Sequence, residues 1–64
     1  MVKVPATVLE GIEEIRDSGQ INMLDRVGVS EIAEQNGDDV TADWIRNNSK
    51  AYAEGIFQGF DPQD

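Results

Sequence analysis

An all-α fold, a compact bundle of about four short helices completed by dimerisation, is what this sequence predicts. Three observations carry that expectation. Apolar residues recur at helical spacing in successive segments of the chain. Those segments are separated by helix-ending pairs, Ser18-Gly19, Asn36-Gly37 and Asn47-Asn48, and Asp61-Pro62 closes the last. Met1-Val2-Lys3-Val4 alternates apolar and polar residues too briefly to decide between a strand and an extended arm, and the chain offers no convincing strand.

Helix 1 follows that run. Pro5 fits its first turn, where a missing N–H costs nothing, and Thr7 with Glu10 offers an alternative start as a capping box. Val8, Leu9, Ile12 and Ile15 share one face, and Glu10, Glu13, Glu14 and Asp17 the opposite one. Gly19 suits a left-handed cap. The connection Gln20–Asp25 holds Met23 and Leu24, expected to pin it to the core. Asp25 or Asn22 caps helix 2, which runs through Val29, Ile32 and Ala33 with Gly28 weakening its first turn. Asp38 and Asp39 place negative charge at the start of helix 3, as the macrodipole favours, and Val40, Trp44 and Ile45 are its apolar positions. Ser49 caps helix 4, which is read through Tyr52, Ala53, Ile56, Phe57 and Phe60.

Residues 1–64 make one domain, and a domain so small buries only about 60 % of the surface its unfolded chain exposes. Small domains add disulfides, metals or oligomerisation. With no Cys and no His in the chain, disulfides and zinc or copper sites are excluded, which leaves oligomerisation. Helix 4 is the expected contact. Tyr52, Ile56 and Phe60 fall on a broad apolar arc, and Ala51, Gly55 and Gly59 form a ridge of small residues beside it. Glycine inside a helix costs up to about 1 kcal/mol relative to alanine, so the ridge implies close backbone approach, either to a second chain or to helix 1 or helix 3 of the same chain.

The same missing residues remove the commonest proton carrier near neutral pH and the strongest thiolate nucleophile. Ser18, Ser30, Ser49, Thr7 and Thr41 have no histidine to activate them, and Lys3 and Lys50 sit among polar or terminal residues. Gly55 and Gly59 are no phosphate loop, since no strand precedes them and no Gly-Lys-Ser/Thr follows. The expectation is a protein that is not an enzyme and takes no cofactor or metal.

Thirteen acidic against five basic residues give a net charge of −8. That balance opposes binding to phosphate backbones and to anionic membranes. A solvated surface is the commoner reading of such charge; a basic protein partner, or imitation of nucleic acid, is the sharper one. Glu10, Glu13, Glu14 and Asp17 line a strip about 10 Å long at 1.5 Å rise per residue. They diverge on a straight helix, so they suit a partner surface better than a hard cation, which needs converging ligands. Ile32-Ala33-Glu34-Gln35-Asn36-Gly37 before Trp44-Ile45 is spaced like a helix-turn-helix, yet its second helix offers Asp39, Thr41 and Asp43 against Arg46 alone. Carboxylates in a major groove repel phosphate, so this reads as a helical corner without direct nucleic-acid contact. Trp44 and Tyr52 read as core rings, the latter with its hydroxyl at the surface, and Arg16, at the edge of helix 1's apolar face, as snorkelling or pairing with an acid. No apolar run reaches membrane-spanning length and no signal-peptide core is present, so a cytoplasmic location is expected.

Val8-Leu9-Glu10-Gly11-Ile12-Glu13-Glu14-Ile15-Arg16, Ser18-Gly19, Asn22-Met23-Leu24-Asp25-Arg26, Glu31-Ile32-Ala33, Ala42-Asp43-Trp44-Ile45, Asn48, Tyr52 and Gly55-Ile56-Phe57-Gln58-Gly59-Phe60 together resemble an uncharacterised family of roughly sixty-residue proteins encoded by bacteria, phages and prophages. The resemblance spans nearly the whole chain and brings no active site with it. It implies an accessory factor that binds and modulates or inhibits a host protein, a defence or nucleic-acid-binding protein among the options. An assembly component of a phage particle is the alternative. Sequestration of a small nucleotide signal, with Arg16, Arg26 and Arg46 converging across an oligomer, is a third reading that the scarcity of positive charge disfavours.

Overall fold

A computed structural model describes residues 1–63 in the order β1 (Val2–Pro5), α1 (Ala6–Ser18), α2 (Arg26–Gln35), α3 (Asp39–Asn47), α4 (Ser49–Gln58) and β2 (Phe60–Gln63). The four expected helices are present, but the all-α class is corrected: β1 and β2 form a small parallel sheet, with Val2 opposite Phe60 and Pro5 opposite Gln63. Parallel strands need a long crossover, and here all four helices supply it.

Gly59 is the reason helix 4 ends earlier than its apolar pattern suggests. At φ 96° and ψ 157° it occupies a backbone region essentially reserved for glycine. Its N–H donates to the Gly55 carbonyl at 2.7 Å, completing the helix, while its own carbonyl accepts from the Val2 N–H at 3.0 Å, starting the sheet. Phe60 therefore leaves the helix and enters β2. Since Val2 turns its N–H toward β2, the alternate residues Lys3 and Pro5 have their backbone on the outer edge of β1, and the register leaves the backbone of Phe60 and Pro62 on the outer edge of β2. Each free edge thus carries a proline, which has no N–H to offer an added strand.

α1 starts at Ala6, with Pro5 in the capping position and no side-chain cap, so neither the Thr7 start nor a helical Pro5 applies. Its inner face is Val8, Gly11, Ile12 and Ile15, and Leu9 is half-buried. Gly19, at φ 67°, is the left-handed cap. Asp25 caps α2 by accepting from the Gly28 N–H at 3.1 Å, and Asn22 accepts from the Leu24 N–H at 2.9 Å in the preceding turn. Ile21 and Met23 pack on the core from this turn, whereas Leu24 is exposed.

α3 presents Thr41, Ala42 and Ile45 inward, and Trp44 is half-buried; Val40, expected inside, is exposed. The shift follows from the cap. Asp38 accepts from the Thr41 N–H at 3.2 Å, and the Thr41 hydroxyl donates to its other oxygen at 2.6 Å. That satisfied pair can be buried without an unpaired polar atom, and Gly11 of α1 packs directly on it. α2 and α3 make the most extensive helix–helix contact. The core consists of Val4, Val8, Ile12, Ile15, Val29, Ala33, Ala42, Ile45 and Tyr52.

Candidate functional site

A pocket of about 350 Å³ opens between α1 and the end of α4. Leu9, Ile12, Glu13 and Arg16 of α1 form one wall, and Gly55 and Ile56 of α4 form the other. Met23, Gly59 and Phe60 close it, with Met1 at the rim. The backbone explains the opening: Gly55 and Gly59 bring no side chain to it, and the turn at Gly59 swings Phe60 across the end of α4.

The residues expected at an oligomer contact divide. Tyr52 and Gly55 are buried within the chain, and Ala51, Ile56, Gly59 and Phe60 are half-buried. Of the ridge Ala51-Gly55-Gly59, Ala51 and Gly55 lie within α4 and Gly59 is its C-cap. Gly55 answers to an intrachain contact instead: a Cβ there would collide with the Phe60 ring. That ring lies 6.3 Å from both Trp44, edge-on, and Tyr52, tilted. Tyr52 does not put its hydroxyl at the surface but donates to the Met23 carbonyl at 2.6 Å. Burial, with the nearby Asp25 charge, pushes its pKa up to about 12.

Glu10, Glu14 and Asp17 are exposed and Glu13 is half-buried, so the acidic strip faces outward along α1 and its Glu13 edge enters the pocket wall. Arg16 contacts Glu13 at 3.9 Å and Asp17 at 3.4 Å, while among the described residues Glu10 and Glu14 have no ion-pair partner. Among the described residues no group of three or more acidic side chains could hold a metal ion. The sequence marked Glu13, Gly55, Ile56, Gly59 and Phe60 for two separate surfaces, and the fold joins them in one pocket. It missed Met1, Leu9 and Met23, which carry no signal beyond being apolar.

The three arginines do not converge within the chain. Arg26 donates to the Ile45 carbonyl at 3.5 Å, Arg46 pairs with Glu34 at 2.9 Å, and Arg16 stays with Glu13 and Asp17. The Glu34 hydrogen bond, opposed by slight burial and reinforced by nearby acidic groups, raises the Arg46 pKa. α2 and α3 form the expected corner, with Gly37 at φ 78°, and the exposed face of α3 is Asp39, Val40, Asp43, Arg46 and Asn47. Among the described residues no helix is long and apolar enough to cross a membrane.

Residues 5–60 match the family model described as domain of unknown function (DUF5049), and the chain belongs to that family. No curated protein and no solved structure matches it.

Proposed function

We propose that this member of the family is a non-enzymatic protein-binding module. It is a phage- or prophage-encoded accessory factor that acts in the host cytoplasm by binding and modulating a host protein with a basic surface. The supporting observation is the outward strip of Glu10, Glu13, Glu14 and Asp17 on one helix, opposed by Arg16 alone at its edge. Exposed charge of one sign steers a complementary partner and is screened by salt. Immobilised protein should therefore retain a basic host protein at low salt and release it as salt rises. Glu13→Lys with Glu14→Lys should abolish retention while far-ultraviolet circular dichroism keeps its helical signal. Unchanged retention by the double variant, or recovery of virion proteins alone, overturns this reading.

A second reading, association of two chains through α4, is favoured by Phe57, which is 77 % exposed on that helix. Large apolar side chains left on a surface mark contacts when they cluster, and Ala53 is also exposed one turn before Phe57. Light scattering at high micromolar concentration should give the mass of two chains, and Phe57→Ser that of one. A wild-type mass of one chain ends the dimer.

A further inference from the structure

We infer that the pocket between α1 and α4 receives an apolar side chain from a basic amphipathic segment of a partner protein, whose cations lie along the acidic strip of α1. This deepens the binding reading above and rests on it. With 100° per residue on α1, Leu9, Ile12 and Arg16 point to the pocket, Glu13 stands at its wall, and Asp17, Glu10 and Glu14 continue around the helix over about another 100°. The acidic arc begins where the apolar wall ends, so a ligand helix or strand that enters the pocket across α1 lies over carboxylates.

The pocket's size limits what enters. At about 350 Å³ it lies at the low end of the roughly 300–1,000 Å³ typical of ligand sites, enough for one or two side chains. Its floor is apolar, from Ile12, Leu9, Ile56 and Phe60. Met1, 78 % exposed at the rim, is unbranched and can fold over anchors of different shape. Arg16 does not make the rim anion-selective, because Glu13 and Asp17 already flank its guanidinium. At the pocket wall Glu13 balances it, and Asp17, Glu10 and Glu14 carry the negative charge onward around α1. A second copy of this chain would bring another net charge of −8 to that rim, whereas a Lys/Arg-rich segment meets it with complementary charge.

The test uses two synthetic peptides of equal length and charge titrated into isotope-labelled protein and followed by amide NMR shifts. One is a lysine-rich amphipathic helix with leucines on one face; the other has those leucines replaced by glutamine. The leucine peptide should bind at least about tenfold tighter, as burying one aliphatic side chain implies, with shifts at Leu9, Gly55, Ile56 and Gly59. Ile56→Trp, which fills the pocket and leaves every charge in place, should bring the leucine peptide down to the glutamine peptide's affinity. Glu10→Lys with Asp17→Lys should weaken both peptides alike. Equal affinity for the two peptides, with shifts confined to the outer face of α1, overturns the pocket inference and leaves the acidic-surface reading standing. Binding of neither peptide at low salt overturns both. Concentration-dependent broadening of the pocket amides without any peptide makes a second copy the occupant and overturns the basic one.

Discussion

Gly11 and Gly55 are both buried glycines at close approaches of α1 and α4, yet the two contacts are built differently. At Gly11 the backbone of α1 lies against Thr41 and Asp38, two short side chains bonded to each other and to the first turn of α3. At Gly55 the backbone of α4 lies against the Phe60 ring, which is half-buried and borders the pocket. A neighbour locked in a hydrogen-bonded cap cannot yield without losing the cap. A ring beside open space can rotate. The α1–α3 junction is therefore the rigid platform of the molecule, and the α4–β2 junction is the adaptable side that carries the candidate site. Local stability is expected to differ accordingly.

Gly11→Ala should have the largest effect. The added methyl meets both Thr41 and Asp38, so the substitution combines overpacking, typically costing 1–3 kcal/mol, with loss of a helix cap worth about 1 kcal/mol. The better helix propensity of alanine returns up to about 1 kcal/mol. A net loss of about 2 kcal/mol is expected in urea unfolding, a large share of a total that is about 0.05–0.15 kcal/mol per residue. Wild-type stability in this variant would erase the distinction between the two junctions.

Asp38→Ala sharpens the comparison by removing the cap alone, and should cost about 1–2 kcal/mol because it also strips the buried Thr41 hydroxyl of its acceptor. In Gly11→Ala/Asp38→Ala the methyl no longer meets a carboxylate, so the two losses should sum to less than their separate values by at least about 0.5 kcal/mol. Strict additivity would mean that Gly11 and the cap act independently. Gly55→Ala should be milder, near 1 kcal/mol, since the clash is relieved by moving a ring and alanine favours α4. Its signature is location: amide exchange should accelerate in Val2–Pro5 and Phe60–Gln63 while α2 and α3 stay protected. Uniform acceleration across the chain would show that both junctions open together.

The turns and helix ends were the legible part of the sequence. Gly19, Asp25, Asn36-Gly37 and Asp38 act within a few residues of where they stand, and the turns they specify form as read. β2 was not legible, because Phe60-Asp61-Pro62-Gln63 has little strand propensity and exists through pairing with a segment nearly sixty residues earlier. The apolar pattern alone carried helix 4 on through Phe60, whereas the conformation of Gly59 stops it at Gln58. Val40 misled for a related reason: spacing marked it as apolar and inward, but buried Thr41, bonded to half-buried Asp38, takes the inward position on α3. Within the candidate site, the outward strip on α1 was readable from periodicity. The pocket depends on Met1, Leu9 and Met23 meeting Ile56 from three other parts of the chain, and such a meeting leaves no local mark.

A similarly small effect at neutral pH, and the one most specific in its pH dependence, belongs to Tyr52→Phe. Tyr52 joins the two regions: its ring is in the core, and its hydroxyl holds the Met23 carbonyl beside the pocket. Removing the hydroxyl forfeits one hydrogen bond, about 0.5–1.5 kcal/mol. The native phenol is held protonated up to about pH 12, whereas an unfolded tyrosine titrates near pH 10. Between those values the native state keeps a proton that the unfolded state releases, so stability present in full below pH 10 is lost as pH rises toward 12. The ionised oxygen also cannot donate to the carbonyl, so titration and loss of the bond coincide. All other groups are common to wild type and variant, so their contribution cancels in the difference. The wild type should therefore be more stable than Tyr52→Phe at pH 7, lose that advantage by about pH 11, and fall below the variant beyond it. Parallel pH profiles for the two proteins would show that the hydroxyl is not a buried donor and that the pocket's Met23 side is free of the core.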